Sequence, residues 1–133
     1  MDPLSLELEC LSEPMAVCRL GAQDPIPQWA TESPFFSISR TGEELSIVCQ
    51  QSHVPAGVKS ERGWRCFRVK GPLDFGLNGI LASLVTPLAE AKISVFSLST
   101  YDTDYVMIKQ QNAEPAITTW LHAGHRVQTA LSN

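Results

Sequence analysis

Between Leu4 and Cys10 the chain alternates strictly, with Leu4, Leu6, Leu8 and Cys10 on one parity and Ser5, Glu7 and Glu9 on the other. That is the period of a half-buried strand, and its charged outer face places it at a sheet edge. A break at Ser12-Glu13-Pro14 precedes a second strand, MAVCRL. The two prolines between Gly21 and Pro27 then leave room only for a short helix around Ile26 to Ala30, with Trp29 packing it onto the sheet. FFSISR, the turn Thr41-Gly42-Glu43-Glu44 and LSIVCQ read as a hairpin. Residues Gln51 to Gly63 read as a brief helical turn and a linker, and ERGWRCFRVKG as a strand. From Leu77 the apolar positions change period. Leu77, Ile80, Leu81, Leu84, Val85, Leu88 and Ala91 form the stripe of an amphipathic helix, loosened or kinked at Pro87. ISVFSLST and YVMIK follow as a second hairpin around the corner Tyr101-Asp102-Thr103-Asp104. A last helix is capped by Asn112, carries Pro115 in its first turn, turns Ala113, Ile117, Trp120 and Leu121 inward, and ends at Gly124 before a closing strand RVQTAL.

Strands paired into hairpins and covered by helices define an α+β protein, and the order of elements is repeated in outline. The boundary falls near Ser60, giving a first half of residues 1–60 with abbreviated helices and a fuller second half of residues 61–133. Units of that size are marginal alone, because a small domain buries a smaller share of its surface. The expectation is two halves packed side by side that unfold together.

Composition narrows the function classes. Fourteen acidic and ten basic residues leave a net charge of −4, which gives no field to draw nucleic acid or an acidic membrane. Arg62, Arg65, Arg68 and Lys70 are the densest basic cluster, but Trp64 and Phe67 do not have the spacing of an RNA-recognition motif. The expectation is that Arg68 and Lys70 lie on the solvent face or pair with Glu61 and Glu90. No apolar run approaches the ~20 residues that span a bilayer, and the acidic start lacks a signal-like core, so a cytoplasmic protein is expected. Cys10, Cys18, Cys49 and Cys66 form no CxxC pair and read as small buried hydrophobes; a zinc site with His53, His122 or His125 would lack any short ligand spacing. His53 has no nucleophile motif or carboxylate beside it in sequence. With no catalytic motif, metal or cofactor signature, the chain reads as a binding protein and not an enzyme.

The candidate chemistry lies in two loops. Gly76 and Gly79 allow close approach of the backbone where a helix begins, and the first turn of a helix has amide N–H groups without partners, which attract anions. Asp102 and Asp104 offer carboxylates to an ammonium or guanidinium group. A small zwitterion suits the pair. The alternative is that the glycines serve a tight turn and the aspartates are hydrated turn formers.

The run GPLDFGLNGILASLVTPLAEAKISVFSLSTYDTDYVMIK, with I-S-x-F-x-x-S-T-Y-x-T-D-Y across the hairpin, resembles the second domain of small tandem ACT-like proteins. PFFSISRTGEELSIVC and ERGWRCFRVKGPLDF resemble the first half and its junction, so the likeness extends from about residue 14 to 127. It implies two ferredoxin-like βαββαβ units with antiparallel sheets covered by helices. It also implies a regulatory protein that binds an amino acid at Asp74, Phe75, Gly76, Leu77, Asn78 and Gly79 and at Tyr101, Asp102, Thr103 and Asp104, near the junction of the halves. Gly79 and Asp104 match positions that arginine-sensing relatives use, whereas Leu77 stands where those carry an acid, which argues against arginine. The alternative function is a protein-interaction module without a small ligand. The regulated partner, or a second copy, is the expected macromolecular contact.

Overall fold

A computed structural model describes residues 5–71 and 78–129. The chain falls into two compact units, Glu13–Trp64 and one composed of Met1–Ser12 with Arg65–Asn133. The division lies inside a strand, a few residues beyond the Ser60 expected from sequence. It also transfers the first strand, read as part of residues 1–60, to the later unit. Alternation makes those residues a strand, but the choice of neighbour rests on contacts formed more than fifty residues away.

In the unit Glu13–Trp64, β2 (Met15–Leu20) pairs antiparallel with β4 (Leu45–Gln50), which pairs with β3 (Ser37–Arg40). Its fourth strand is the first part of β5 (Ser60–Val69), so the order is β3-β4-β2-β5. This is the ferredoxin-like order with both helices reduced to 3₁₀ turns, Gln28–Thr31 and Gln51–His53. The prolines before Gln28 account for the first. Ala16, Cys18, Leu45, Ile47 and Cys49 form the buried row, with Ala30 and Val54 over it and Trp29 packed at its margin. Between Met15 and Val17 the pairing slips from Trp64 to Glu61, which makes room for Gly63 at φ +80°.

The other unit repeats the pattern with full helices. The second part of β5 leads to α1 (Ile80–Glu90), then β6 (Phe96–Ser99), β7 (Asp104–Lys109), α2 (Ala113–His122) and β8 (Arg126–Gln128). The strand β1 (Glu7–Cys10) enters between β5 and β8, antiparallel to the first and parallel to the second. It is therefore an interior strand and not the edge its charges suggested. Those charges are paired instead: Glu9 accepts from Arg68 Nε at 3.0 Å and Nη2 at 2.5 Å, and Glu7 from Arg126 at 3.3 Å. Arg68 thus meets a carboxylate of β1, not Glu61 or Glu90.

Leu8, Phe67, Val69, Leu84, Leu88, Val106, Ile108 and Trp120 fill the core of this unit. Phe67 meets Trp120 edge to face with centroids 5.0 Å apart. On α2 the buried residues are Ala116 and Trp120, while Leu121 is 51% exposed, since it lies about 100° round the helix from Trp120. Asn112 makes no side-chain cap; a 3₁₀ turn, Gln110–Asn112, enters the helix in its place. α1 runs through Pro87 and ends with Lys92 at φ +63°, where Ile93 N–H reaches Leu88 O and Lys92 N–H reaches Ala89 O. No helix among the described residues is long and apolar enough to cross a membrane.

Candidate ligand site

Of the residues named from sequence, Asp74, Phe75, Gly76 and Leu77 lie outside the described residues. Gly79 stands immediately before α1 at φ +76°, a conformation that glycine adopts without cost. Asn78 and Gly79 are exposed, and a Cβ added to Gly79 would meet none of the described residues within 4 Å. The first bond of the helix runs from Ser83 N–H to Gly79 O at 2.8 Å. Ile80, Leu81 and Ala82 therefore precede the helical ladder and present the amide end of α1.

The hairpin corner is built from its own hydroxyls. Thr100 N–H donates to Thr103 O at 2.8 Å, and Thr103 N–H donates to Thr100 Oγ1 at 3.2 Å. Thr103 is buried, and its hydroxyl donates to Val69 O at 2.6 Å. That bond ties the corner to the end of β5, two residues before the glycine loop departs. Thr103 is thus a structural clasp.

The two aspartates differ in exposure and in contacts. Asp104 shares its parity on β7 with Val106 and Ile108, which lie in the core under the helices. Its register partner is Ser99, whose hydroxyl donates to Asp104 Oδ1 at 2.6 Å. Asp104 consequently projects on the helix-covered side, at the end of the sheet where β5 turns toward α1. Asp102 is exposed and precedes β7. On the face of β7 opposite Asp104, the Tyr105 hydroxyl is held above its usual range, chiefly by burial, with Arg68 opposing and Cys66, Asp102 and Glu9 adding to the rise. Tyr101 is 81% exposed.

Other candidate groups are structural. His125 has both ring nitrogens engaged, by Leu6 N–H and Ser83 O, which leaves no lone pair for a metal. The described residues hold no metal-binding cluster. His53 contacts Gln50 Oε1 at 3.1 Å and Glu32 Oε1 at 3.7 Å, a carboxylate that twenty intervening positions hid in the sequence. Arg62 donates to the carbonyls of Gln51, Val54 and Pro55, and Arg65 to that of Leu11. Cys18 is lowered by a hydrogen bond from Cys49, which outweighs its burial, and Cys49 is correspondingly raised; both are buried and unbridged. A cavity of about 170 Å³ in the unit Glu13–Trp64, lined by Arg19, Glu44, Ser46 and Lys59 among others, contains none of the site residues.

A family model described as an ACT domain matches residues 59–122, from the start of β5 to the end of α2, and an N-terminal-domain model matches residues 13–57. A protein of solved structure from Agrobacterium tumefaciens is 35% identical, with TM-score 0.90, over 95% of this chain and 94% of its own. The chain belongs to the ACT-domain family. Human cytosolic arginine sensor for mTORC1 subunit 1 is 41% identical over 96 residues, which is 64% of this chain and 29% of that sensor. The chain therefore spans less than a third of the sensor's length. The regulatory subunit of aspartate kinase from Thermus thermophilus has the same fold, with TM-score 0.63 at 11% identity, covering 92% of this chain and 99% of that one. The proteins similar to this chain thus include a sensor and a regulatory subunit.

The structure brings Asp104 and Thr103 to the end of the ACT sheet from which α1 departs, and holds Tyr101 and Asp102 outward. Sequence reasoning missed the clasp at Val69. A threonine preceding an aspartate at a hairpin corner was the available signal, but it does not say which carbonyl the hydroxyl reaches.

Proposed function

We propose that this protein binds a free amino acid and reports its level to a regulated partner, without catalysing a reaction. The ligand carboxylate sits at the amide end of α1, from Gly76 through Ala82, and its ammonium group faces Asp104. The other ligand-binding residues proposed are Asp74, Phe75, Leu77 and Asn78 before the helix and Tyr101, Asp102 and Thr103 at the corner. The observation that carries this reading is the position of Asp104, on the helix-covered side of the sheet at the end where α1 begins. A carboxylate and a helix amide end offer opposite charges to the two poles of a zwitterion. The likeness to the arginine sensor supports an amino acid as the ligand class. Leu77 favours a side chain other than the arginine guanidinium. The cytoplasm, where free amino acids are monitored, is the compartment this role requires.

A thermal-shift screen of the twenty proteinogenic amino acids tests it. A ligand at 100 times its Kd stabilises the native state by about 2.7 kcal/mol, and Asp104→Asn should weaken a true ligand by about 1.5–3 kcal/mol while leaving the unliganded melting temperature nearly unchanged. If no amino acid at millimolar concentration raises the melting temperature, sensing is refuted and the protein-interaction reading replaces it.

A further inference from the structure

Pro87 has no N–H, so the Ser83 carbonyl four residues back lacks its helical donor. His125 Nε2 occupies that carbonyl at 3.1 Å. The other ring nitrogen, Nδ1, receives Leu6 N–H at 3.1 Å, and because a backbone N–H only donates, the ring proton resides on Nε2. The adjacent carbonyl, Leu84 O, accepts Trp120 Nε1–H at 3.0 Å. Both rings are buried, and both are fixed by the end of α2. There Gly124 at φ +95° lets His125 N–H reach Trp120 O at 3.0 Å while Gly124 N–H reaches Leu121 O at 3.1 Å.

We infer that His125 is a positioning residue for the amide end of α1, an inference that rests on the proposed ligand site. The helix ladder is interrupted one turn beyond Ile80, Leu81 and Ala82, the residues whose amides would receive the ligand. What grips Ser83 and Leu84 therefore sets where that first turn points. His125 supplies one donor and Trp120 the other. Through Leu6 the same ring ties this end of α1 to β1, so the site is braced from two elements that contribute no ligand contact.

Substitutions at both ends of the bond separate positioning from simple packing. The full chain would be compared as wild type, His125→Phe, His125→Gln, Pro87→Ala and the double variant Pro87→Ala/His125→Phe, by residue-resolved amide exchange and by thermal shift with each of the twenty amino acids. His125→Phe should speed exchange at Ser83 to Thr86 by about tenfold, the equivalent of one lost hydrogen bond. It should weaken the amino acid that wild type binds by a similar factor. Residue 87 as alanine regains its N–H, so Pro87→Ala should restore both properties in the His125→Phe background, and His125→Gln, which keeps a donor and an acceptor, should fall between. If His125→Phe does not fold, the glutamine variant and the double variant carry the comparison. Wild-type affinity in His125→Phe, or no rescue by Pro87→Ala, would overturn the positioning role alone. Absence of any amino-acid response in wild type would overturn the site itself and the role with it.

Discussion

The bond from Thr103 to Val69 joins the hairpin corner to the strand that feeds the glycine loop, and Thr103→Val removes it with little change in volume. The hydroxyl and the carbonyl are 2.6 Å apart, and Thr103 is 4% exposed. Water cannot readily replace the donor there. Leaving a buried acceptor without a partner costs about 1–3 kcal/mol, which for a chain of this length lowers Tm by about 3–10 °C. Thr103→Ser keeps the donor and loses one buried methyl, about 0.8 kcal/mol, so it serves as the control. Urea denaturation of wild type and both variants, with unchanged slopes, gives the difference directly. Because the corner also carries Asp104, Thr103→Val should loosen amino-acid binding beyond what lost stability accounts for, whereas Thr103→Ser should not. If Thr103→Val unfolds within about 0.5 kcal/mol of wild type, the bond is not what holds the corner to β5, and the site argument loses its anchor.

Gly79 has φ +76° and no described residue within 4 Å of an added Cβ, so Gly79→Val would strain the backbone by about 1–2 kcal/mol and confound affinity with stability. Gly79→Asn tolerates that conformation and sets a side chain before the helix end; binding should fall with little change in Tm, as calorimetry and thermal shift together would report. Burial pushes the Cys66 thiol up to about 12, with Cys10 adding to the rise and Arg65 opposing it. The folded state therefore disfavours the thiolate: this contribution is fully present below about pH 9 and is lost as pH rises toward 12, by at most about 1.4 kcal/mol per unit. Cys66→Ala should flatten alkaline unfolding over that window, and an unchanged profile would refute it. A fragment of residues 61–133 lacks β1 and the residue before it, and so Leu6 and Leu8, which contribute about 1.5–3 kcal/mol each, a large part of a typical stability of about 5–15 kcal/mol. It should give no cooperative transition unless residues 1–12 are rejoined to it.

Where neighbouring residues decide the structure, the sequence was a sufficient guide. The alternation of MAVCRL and LSIVCQ, the stripe from Ile80 to Leu88 and the turn at Thr41–Glu44 all follow from side-chain period and turn chemistry within a few positions. The interior place of β1 was not legible, because Glu7 and Glu9 look like solvent-facing charges until Arg126 and Arg68 are seen opposite them. Leu121 and Asn112 show the same limit at finer scale: a one-residue error in helix phase exposes a leucine, and a 3₁₀ turn removes the need for a cap. At the site, composition offered two equivalent aspartates. Strand membership distinguishes them: Asp104 is the first residue of β7 and pairs with Ser99, whereas Asp102 stays in the exposed bend before it.

The insertion of β1 between β5 and β8 also fixes an order of events. Ser5 bonds to Gly124 and Leu6 N–H to His125, each across 119 residues, while β2, β3 and β4 find their partners within a few tens of positions. Contacts so distant in the chain close slowly, since a long loop must be ordered before they contribute. The leucine row of β1 must therefore wait, with its apolar face uncovered, until α1, α2 and β8 have assembled. During that interval it is the segment most open to capture by a chaperone or by another chain.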